Sequence, residues 1–264
     1  ADAVILACGG LSVPATGSDG TGLRIAAALG HEMHPTYAAL TPLRAAPSVF
    51  TALAGVSLRV TITALSAART ATATGGFLFT HRGYSGPSVL DVSHVIVRAL
   101  TDGDPTVTLT VQWTALDAAA WERALKPQGA RTVLGALRTE MPDRLATVLL
   151  EVAAVDPTRS LAELRREERL RLIETLVRCA LPFDGDESYK TAEVTGGGVG
   201  LAAVDPRTLE SRTHPGLYLC GEMLDAFGPI GGYNFHWAWA TGRSAGMAAA
   251  RAVAGAPSAP PARR

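Results

Sequence analysis

Leu217-Tyr218-Leu219-Cys220-Gly221-Glu222-Met223-Leu224-Asp225, continued by Gly231-Gly232-Tyr233-Asn234 and the run 235–254, decides the fold. Residues 217–220 are an unbroken apolar run, the pattern of a parallel strand covered on both faces. Glu222 and Asp225 follow at its carboxyl end, where open α/β sheets bind ligands. Gly231 and Gly232 carry no Cβ, so their backbone can approach a ligand closely. Asn234 is expected to N-cap the helix after it. A helix start offers unpaired N–H groups and partial positive charge, which suits an anion or an electron-rich ring edge. Ala238, Gly242, Ala245 and Ala249 form a small-residue stripe able to lie flat on a sheet. An ordinary strand–loop–helix unit shares each feature singly; their combination points to a ligand.

The chain opens on a second apolar stretch, residues 3–7, expected to be a buried strand. It has no initiator Met, and a domain seldom starts on a central strand, so residues are expected upstream. The loop that follows carries Gly9, Gly10, Gly17, Gly20 and Gly22, enough backbone freedom to wrap a ligand with N–H groups. It is neither Gly-x-Gly-x-x-Gly nor a Walker loop. Asp19 or Thr21 is expected to cap a helix over 23–29 that Gly30 ends. His31 and His34 fall beyond that glycine and are expected in a solvated loop, not at a metal.

After Pro42 the period changes. Val56, Leu58, Val60, Ile62 and Ala64 alternate with polar residues, as do Val107, Leu109, Val111 and Trp113. Both read as half-buried antiparallel strands. Between them, 80–87 reads as a loop rich in glycine and polar groups, leading to a helix with Pro87 at its first position. That loop is either a plain connector or a segment brought against a cofactor, with His81 or Ser85 near a substrate. Residues 116–186 read as helical, with Pro142 starting one helix and a capping box at Ser160–Glu163 opening another. Residues 192–194 and 196–199 return to strand.

Composition bounds the function. The chain has 264 residues, 47% hydrophobic, with formal net charge zero. That balance offers no electrostatic case for nucleic acid or an anionic membrane. No apolar run reaches the roughly 20 residues of a bilayer span. Cys8, Cys179 and Cys220 lack metal-ligand spacing and are expected to be small buried residues in a reducing cytoplasm. The proline-rich end, 255–264, is expected to be a disordered tail.

Four segments together resemble flavoproteins of the BaiN/YhiN type, described as FAD/NAD(P)-dependent oxidoreductases. They are residues 4–12 with 16–20, residues 77–87, Thr195-Gly196-Gly197-Gly198 with 208–211, and 221–225 with 231–234. They occur in the family's order across nearly the whole chain. The resemblance implies an α/β fold: a Rossmann-like FAD domain over 1–39 and 187–254, lacking the family's Gly-x-Gly-x-x-Gly segment. It further implies an inserted β-barrel-like domain, placed at 40–115, and a small helical domain at 116–186. FAD is the implied cofactor, with NAD(P)H as a possible reductant, a small-molecule substrate and a possible homo-oligomer. Gly9, Gly10, Gly17 and Gly20 would line the cofactor groove. Glu222 or Asp225 would hydrogen-bond ribityl hydroxyls, and Gly221 would also contact the cofactor. Gly231, Gly232, Tyr233 and Asn234 would face the flavin, with His81 and Tyr233 as catalytic candidates. A second reading, from another class, is a folded fragment or interaction module that does not bind FAD by itself.

Overall fold

β1 (Val4–Leu6) leads through the glycine-rich loop to α1 (Thr21–Ala28) and β2 (Met33–Ala39). This computed structural model describes residues 1–255. The proline-rich tail expected over 255–264 lies outside them, apart from Gly255, which ends the last helix. Ala1–Ala39 and Tyr189–Arg264 make one compact unit, and Leu40–Ser188 make a second, spliced into the first in sequence. Leu40 (φ 52°) and Ser188 (φ 60°), at the two crossings, are both left-handed. Such a backbone costs a non-glycine residue about 1–3 kcal/mol and persists only where its surroundings hold it.

The second unit is built on β3 (Leu43–Arg44), β4 (Ser57–Leu65), β5 (Thr70–Thr80), β6 (Gly83–Ser85), β7 (Thr108–Gln112), β8 (Cys179–Ala180) and β9 (Gly185–Asp186). Among the described residues these form one antiparallel sheet in the order β8-β7-β4-β5-β6-β3-β9. The alternation read from sequence is its physical basis. Val60, Ile62, Leu109 and Val111 are buried. On the other face Thr61 meets Thr74, and Thr63 meets Thr72, through hydroxyl hydrogen bonds of 2.8 and 2.9 Å. β8 and β9 stand at opposite ends of the order, so the sheet is an open ladder and not a closed barrel. The 80–87 segment is a hairpin rather than a loop: Thr80 pairs with Gly83 and Leu78 with Ser85.

α2 (Pro87–Asp102) crosses this sheet and buries Val89, Val92, Val95 and Ile96 against it. Its N-cap is Gly86, with φ 96°. A Cβ there would come within 2.7 Å of the Gly76 carbonyl oxygen, which no side chain tolerates. α3 (Ala118–Ala124), α4 (Val133–Leu137), α5 (Asp143–Val152) and α6 (Arg166–Val177) follow. The strand-rich and helical blocks share one hydrophobic core, in which Trp113 from the sheet side lies with Trp121, Leu149 and Leu172. Pro142 is the N-cap of α5. The capping box at Ser160 closes on a short 3-10 turn, Leu161–Glu163, and α6 starts separately, with Arg165 N–H donating to Glu168.

The chain then rejoins the first unit. β10 (Val194–Val199), fully buried, pairs antiparallel with β2 across a bulge between Gly196 and Gly198. Gly197 at the bulge has φ 79°, and a Cβ there would collide with the Pro35 carbonyl. β11 (Leu217–Leu219) pairs in parallel with β1, Leu6 opposite Leu219. α7 (Tyr233–Gly255) packs on both strands and buries Thr241, Ala245 and Ala249. The small-residue stripe thus lies inward at its lower end, while Ala238 and Gly242 are half-buried. β11 is buried as expected, but β1 is not: Val4 and Ile5 are 44% and 42% exposed. Among the described residues β1 has β11 as its one strand partner. No helix of the described residues is long and apolar enough to cross a membrane.

Candidate functional site

Beyond β11 the chain passes Cys220 into a single 3-10 turn, Gly221–Met223. Gly221 is left-handed, with φ 69°. Its N–H donates to Thr241 Oγ1 at 2.9 Å, and its carbonyl accepts from Trp237 Nε1 at 3.1 Å. Two α7 side chains therefore fix the turn at the carboxyl end of the strand. Glu222 follows, and its Oε1 accepts the Thr195 N–H at 2.9 Å.

α7 begins directly after Gly231 (φ 125°) and Gly232 (φ 88°), both conformations that favour glycine. The N-cap expected at Asn234 is not formed. Asn234 is the second residue of the helix, and its side chain grips Gly228 instead. Oδ1 accepts the Gly228 N–H at 2.8 Å and Nδ2 donates to the Gly228 carbonyl at 3.1 Å. The amide group, with both a donor and an acceptor, closes the 228–232 loop and sets where the glycine pair lies.

These elements enclose a cavity of about 490 Å³, within the roughly 300–1,000 Å³ range of small-molecule sites. Gly9, Gly221, Glu222, Gly231, Gly232 and Asn234 all line it, together with apolar groups such as Ile230, Phe235 and Trp237. Carboxylate, glycine backbone and the start of α7 therefore converge on one space, with ring-sized apolar walls. Helix geometry leaves the first N–H groups of α7 without intrahelical partners, and the helix dipole places positive potential there.

The other expected site residues lie elsewhere. Gly10 packs behind the wall: a Cβ on it would sit 2.5 Å from Glu222 Oε1. Gly17 (φ 99°) ends a 3-10 turn and Gly20 (φ 75°) precedes α1, so both serve turns. Asp225 is held by two other groups: Oδ1 accepts the Gly197 N–H at 3.1 Å, and Oδ2 lies 2.5 Å from His34 Nδ1. Tyr233 is 59% exposed, its ring edge near Gly231. His81 is exposed on the second unit, in the turn between β5 and β6.

His31 and His34 are not in a solvated loop. His31 is buried, with Nδ1 3.0 Å from the Ala26 carbonyl and Nε2 2.8 Å from Ser211 Oγ. A carbonyl only accepts, so Nδ1 donates to it. His34 lies in β2, and its hydrogen bond to Asp225 raises its pKa above the ordinary imidazole value. The expectation of three buried cysteines also needs correction: Cys179 and Cys220 are buried, Cys8 is exposed, and all three are free.

Residues 1–248 match the family described as the HI0933-like protein Rossmann domain. The chain belongs to this family. Three curated relatives match most of it. A 3-dehydro-bile acid delta(4,6)-reductase of Clostridium scindens is 35% identical over 255 residues, covering 95% of this chain and 62% of that protein. A ribosomal RNA dihydrouridine synthase of Escherichia coli is 35% identical over 248 residues, covering 90% and 58%. The protein of that name in Haemophilus influenzae is 33% identical over 255 residues, covering 94% and 60%. The HI0933-like chain thus spans about three fifths of the length of these relatives. Its fold is Rossmann-like α/β, with the parallel β1–β11 pair and α7 forming the part that carries the cavity.

Sequence reading missed three residues that shape this HI0933-like site: Thr195, Trp237 and Thr241. Each acts on backbone distant in sequence, Thr195 on residues 183 and 184 positions away. No local pattern reports such a contact. For Thr195 the signals were its place at the head of a segment that carries the family resemblance and its polar side chain in the otherwise apolar and glycine run of β10.

Proposed function

We propose that the chain is the cofactor-carrying part of a flavin-dependent oxidoreductase that uses FAD and is reduced by NAD(P)H. The observation that carries this reading is the cavity where β11, the Gly9 loop and the start of α7 meet. Its donor set suits a flavin. The backbone at Gly231 and Gly232 has no Cβ to keep a planar ring away, and Glu222 offers an acceptor for sugar-like hydroxyls. The α7 N–H groups face the place where negative charge would collect on an electron-rich ring edge. Phe235, Trp237 and Ile230 supply apolar contact.

Bound FAD would supply the two-electron redox chemistry, while the protein positions the ring and tunes it. The chain's own tasks are then to bind, orient and exchange a proton with substrate. Tyr233, exposed at the head of α7, and His81, exposed on the second unit, are the side chains proposed for that exchange. One relative is named a reductase, which supports a reductive direction. We favour a small-molecule substrate because the net charge is zero and phosphate contacts need a basic surface; ribosomal RNA, named in two relatives, is the competing outcome. A cytoplasmic location fits the free thiols.

A colourless interaction module is the second reading. Exposed Val4, Ile5, Phe235 and Trp239 favour it, since an open strand edge and bare aromatics invite pairing, including with a second copy. Titration of the purified chain with FAD, followed by NADPH and NADH oxidation and a sizing column, decides between them. Flavin uptake supports the enzyme; a colourless dimer supports the module.

A further inference from the structure

We infer that Thr195 is a positioning residue: it clamps the Gly9–Ser12 loop and the Glu222 carboxylate into the arrangement that forms the cavity. The inference rests on the flavin reading only for the identity of the ligand. Thr195 is 1% exposed, on β10. Its Oγ1 accepts two consecutive loop amides, Leu11 N–H at 2.7 Å and Ser12 N–H at 3.1 Å, and lies 3.2 Å from Ser12 Oγ. Its own N–H donates to Glu222 Oε1 at 2.9 Å. One residue thus joins three walls: the loop that brings Gly9 to the cavity, the strand that contributes Val194, and the turn that contributes Glu222.

The loop needs such a clamp. Val13, the next residue, has φ 47°, a left-handed conformation that is a true outlier for a β-branched side chain. It is held there by its N–H donating to the Tyr189 carbonyl at 2.8 Å. Three successive amides, Leu11 to Val13, therefore dock on the returning chain, and Gly20 N–H closes the loop onto the Gly10 carbonyl at 3.2 Å. Gly10 has to be glycine at this junction, because a Cβ would run into both Thr195 and Glu222 Oε1. The Glu222 carboxylate, which lines the cavity, is thereby held to β10 through Oε1.

The hydroxyl of Thr195 is replaceable by one other side chain, serine, and its shape by valine. That gives a clean pair of variants. Thr195→Val leaves the partly buried Leu11 amide and the buried Ser12 amide without this acceptor; Thr195→Ser keeps it. Two measurements on the full chain follow. In hydrogen exchange, Thr195→Val is expected to speed exchange of the Leu11 and Ser12 amides at least tenfold, with β11 and α7 unchanged, and Thr195→Ser to restore protection. In FAD titration, Thr195→Val is expected to raise the dissociation constant tenfold or more, and Thr195→Ser to stay within threefold of the unmutated chain. Unchanged loop exchange in Thr195→Val, or a serine variant as impaired as valine, overturns the clamp. If the unmutated chain takes up no FAD while the exchange result holds, the clamp stands and the flavin reading fails. If both variants bind FAD equally well, the clamp does not position the site and the inference is wrong.

Discussion

His34 and Asp225, 191 residues apart in sequence, are joined by a hydrogen bond of 2.5 Å from Nδ1 to Oδ2, and Asp225 holds the Gly197 amide at the β10 bulge with its other oxygen. The bond ties the segment after β11 to β2. It raises the His34 pKa, chiefly through the Asp225 hydrogen bond, with Glu32 adding attraction from 3.7 Å. A raised folded-state pKa contributes stability that is complete below the unfolded value and fades as pH climbs through the folded one. The stability gap between the unmutated chain and His34→Ala is therefore expected to be widest near pH 5.5 and to shrink toward pH 9. Melting temperatures at matched pH check this; a gap that widens with pH refutes it. The site is exposed, so the effect will be small and salt-sensitive.

Glu222 lines the cavity, and its Oε1 accepts the Thr195 N–H. Glu222→Ala is expected to weaken FAD binding by about 1–3 kcal/mol, the cost of losing a charged acceptor at a buried ligand. Glu222→Gln should retain part of it. Dissociation constants from fluorescence titration give the ordering, and an alanine variant as tight as the unmutated chain removes Glu222 from the site.

The three thiols should differ sharply in reactivity. Burial pushes the Cys179 thiol up to about 11 and also raises that of Cys220, so little nucleophilic thiolate forms on either. Cys8 is exposed. A disulfide reagent at pH 8 is expected to modify Cys8 alone in the native chain and all three after denaturation. Mapping the labelled peptides checks the assignment.

The second unit has one core spanning its sheet and its helices, with Trp121 fully buried in it. Trp121→Ala is expected to cost about 3–5 kcal/mol. It should lower the stability of strands and helices together, in one urea transition. Separate loss of helix with the sheet intact would show two independent cores.

Sequence reading succeeded where a local pattern carries the physics. Alternation placed β4 and β7, the apolar run placed β11, and Pro87 and Gly30 marked helix ends. It failed where distant groups decide. Asn234 reads as a cap but serves Gly228; His31 reads as solvated but is buried against Ser211. β8 and β9 have two residues each, too short for any period to show. The exposure of Val4 and Ile5 depends on what covers the two faces of β1, which its composition does not encode. For the site, the glycines and Glu222 were legible as residue types, whereas the hydrogen bonds that Thr195 makes to residues 11, 12 and 222 needed three dimensions.

The central claim is that the cavity at the head of α7 binds FAD through the backbone at Gly232. Gly232 lines the cavity with φ 88°, and a Cβ built on it meets no atom within 4 Å. Valine would add about 1–3 kcal/mol of backbone strain and put a branched side chain on a lining residue of the cavity. The decisive measurement is a visible-absorbance titration of the unmutated chain and of Gly232→Val with FAD, beside their far-UV spectra. The account predicts stoichiometric uptake with a shifted flavin spectrum in the first, and no uptake with unchanged far-UV signal in the second. An unshifted spectrum for the unmutated chain at saturating FAD, or equal uptake by Gly232→Val, would contradict it.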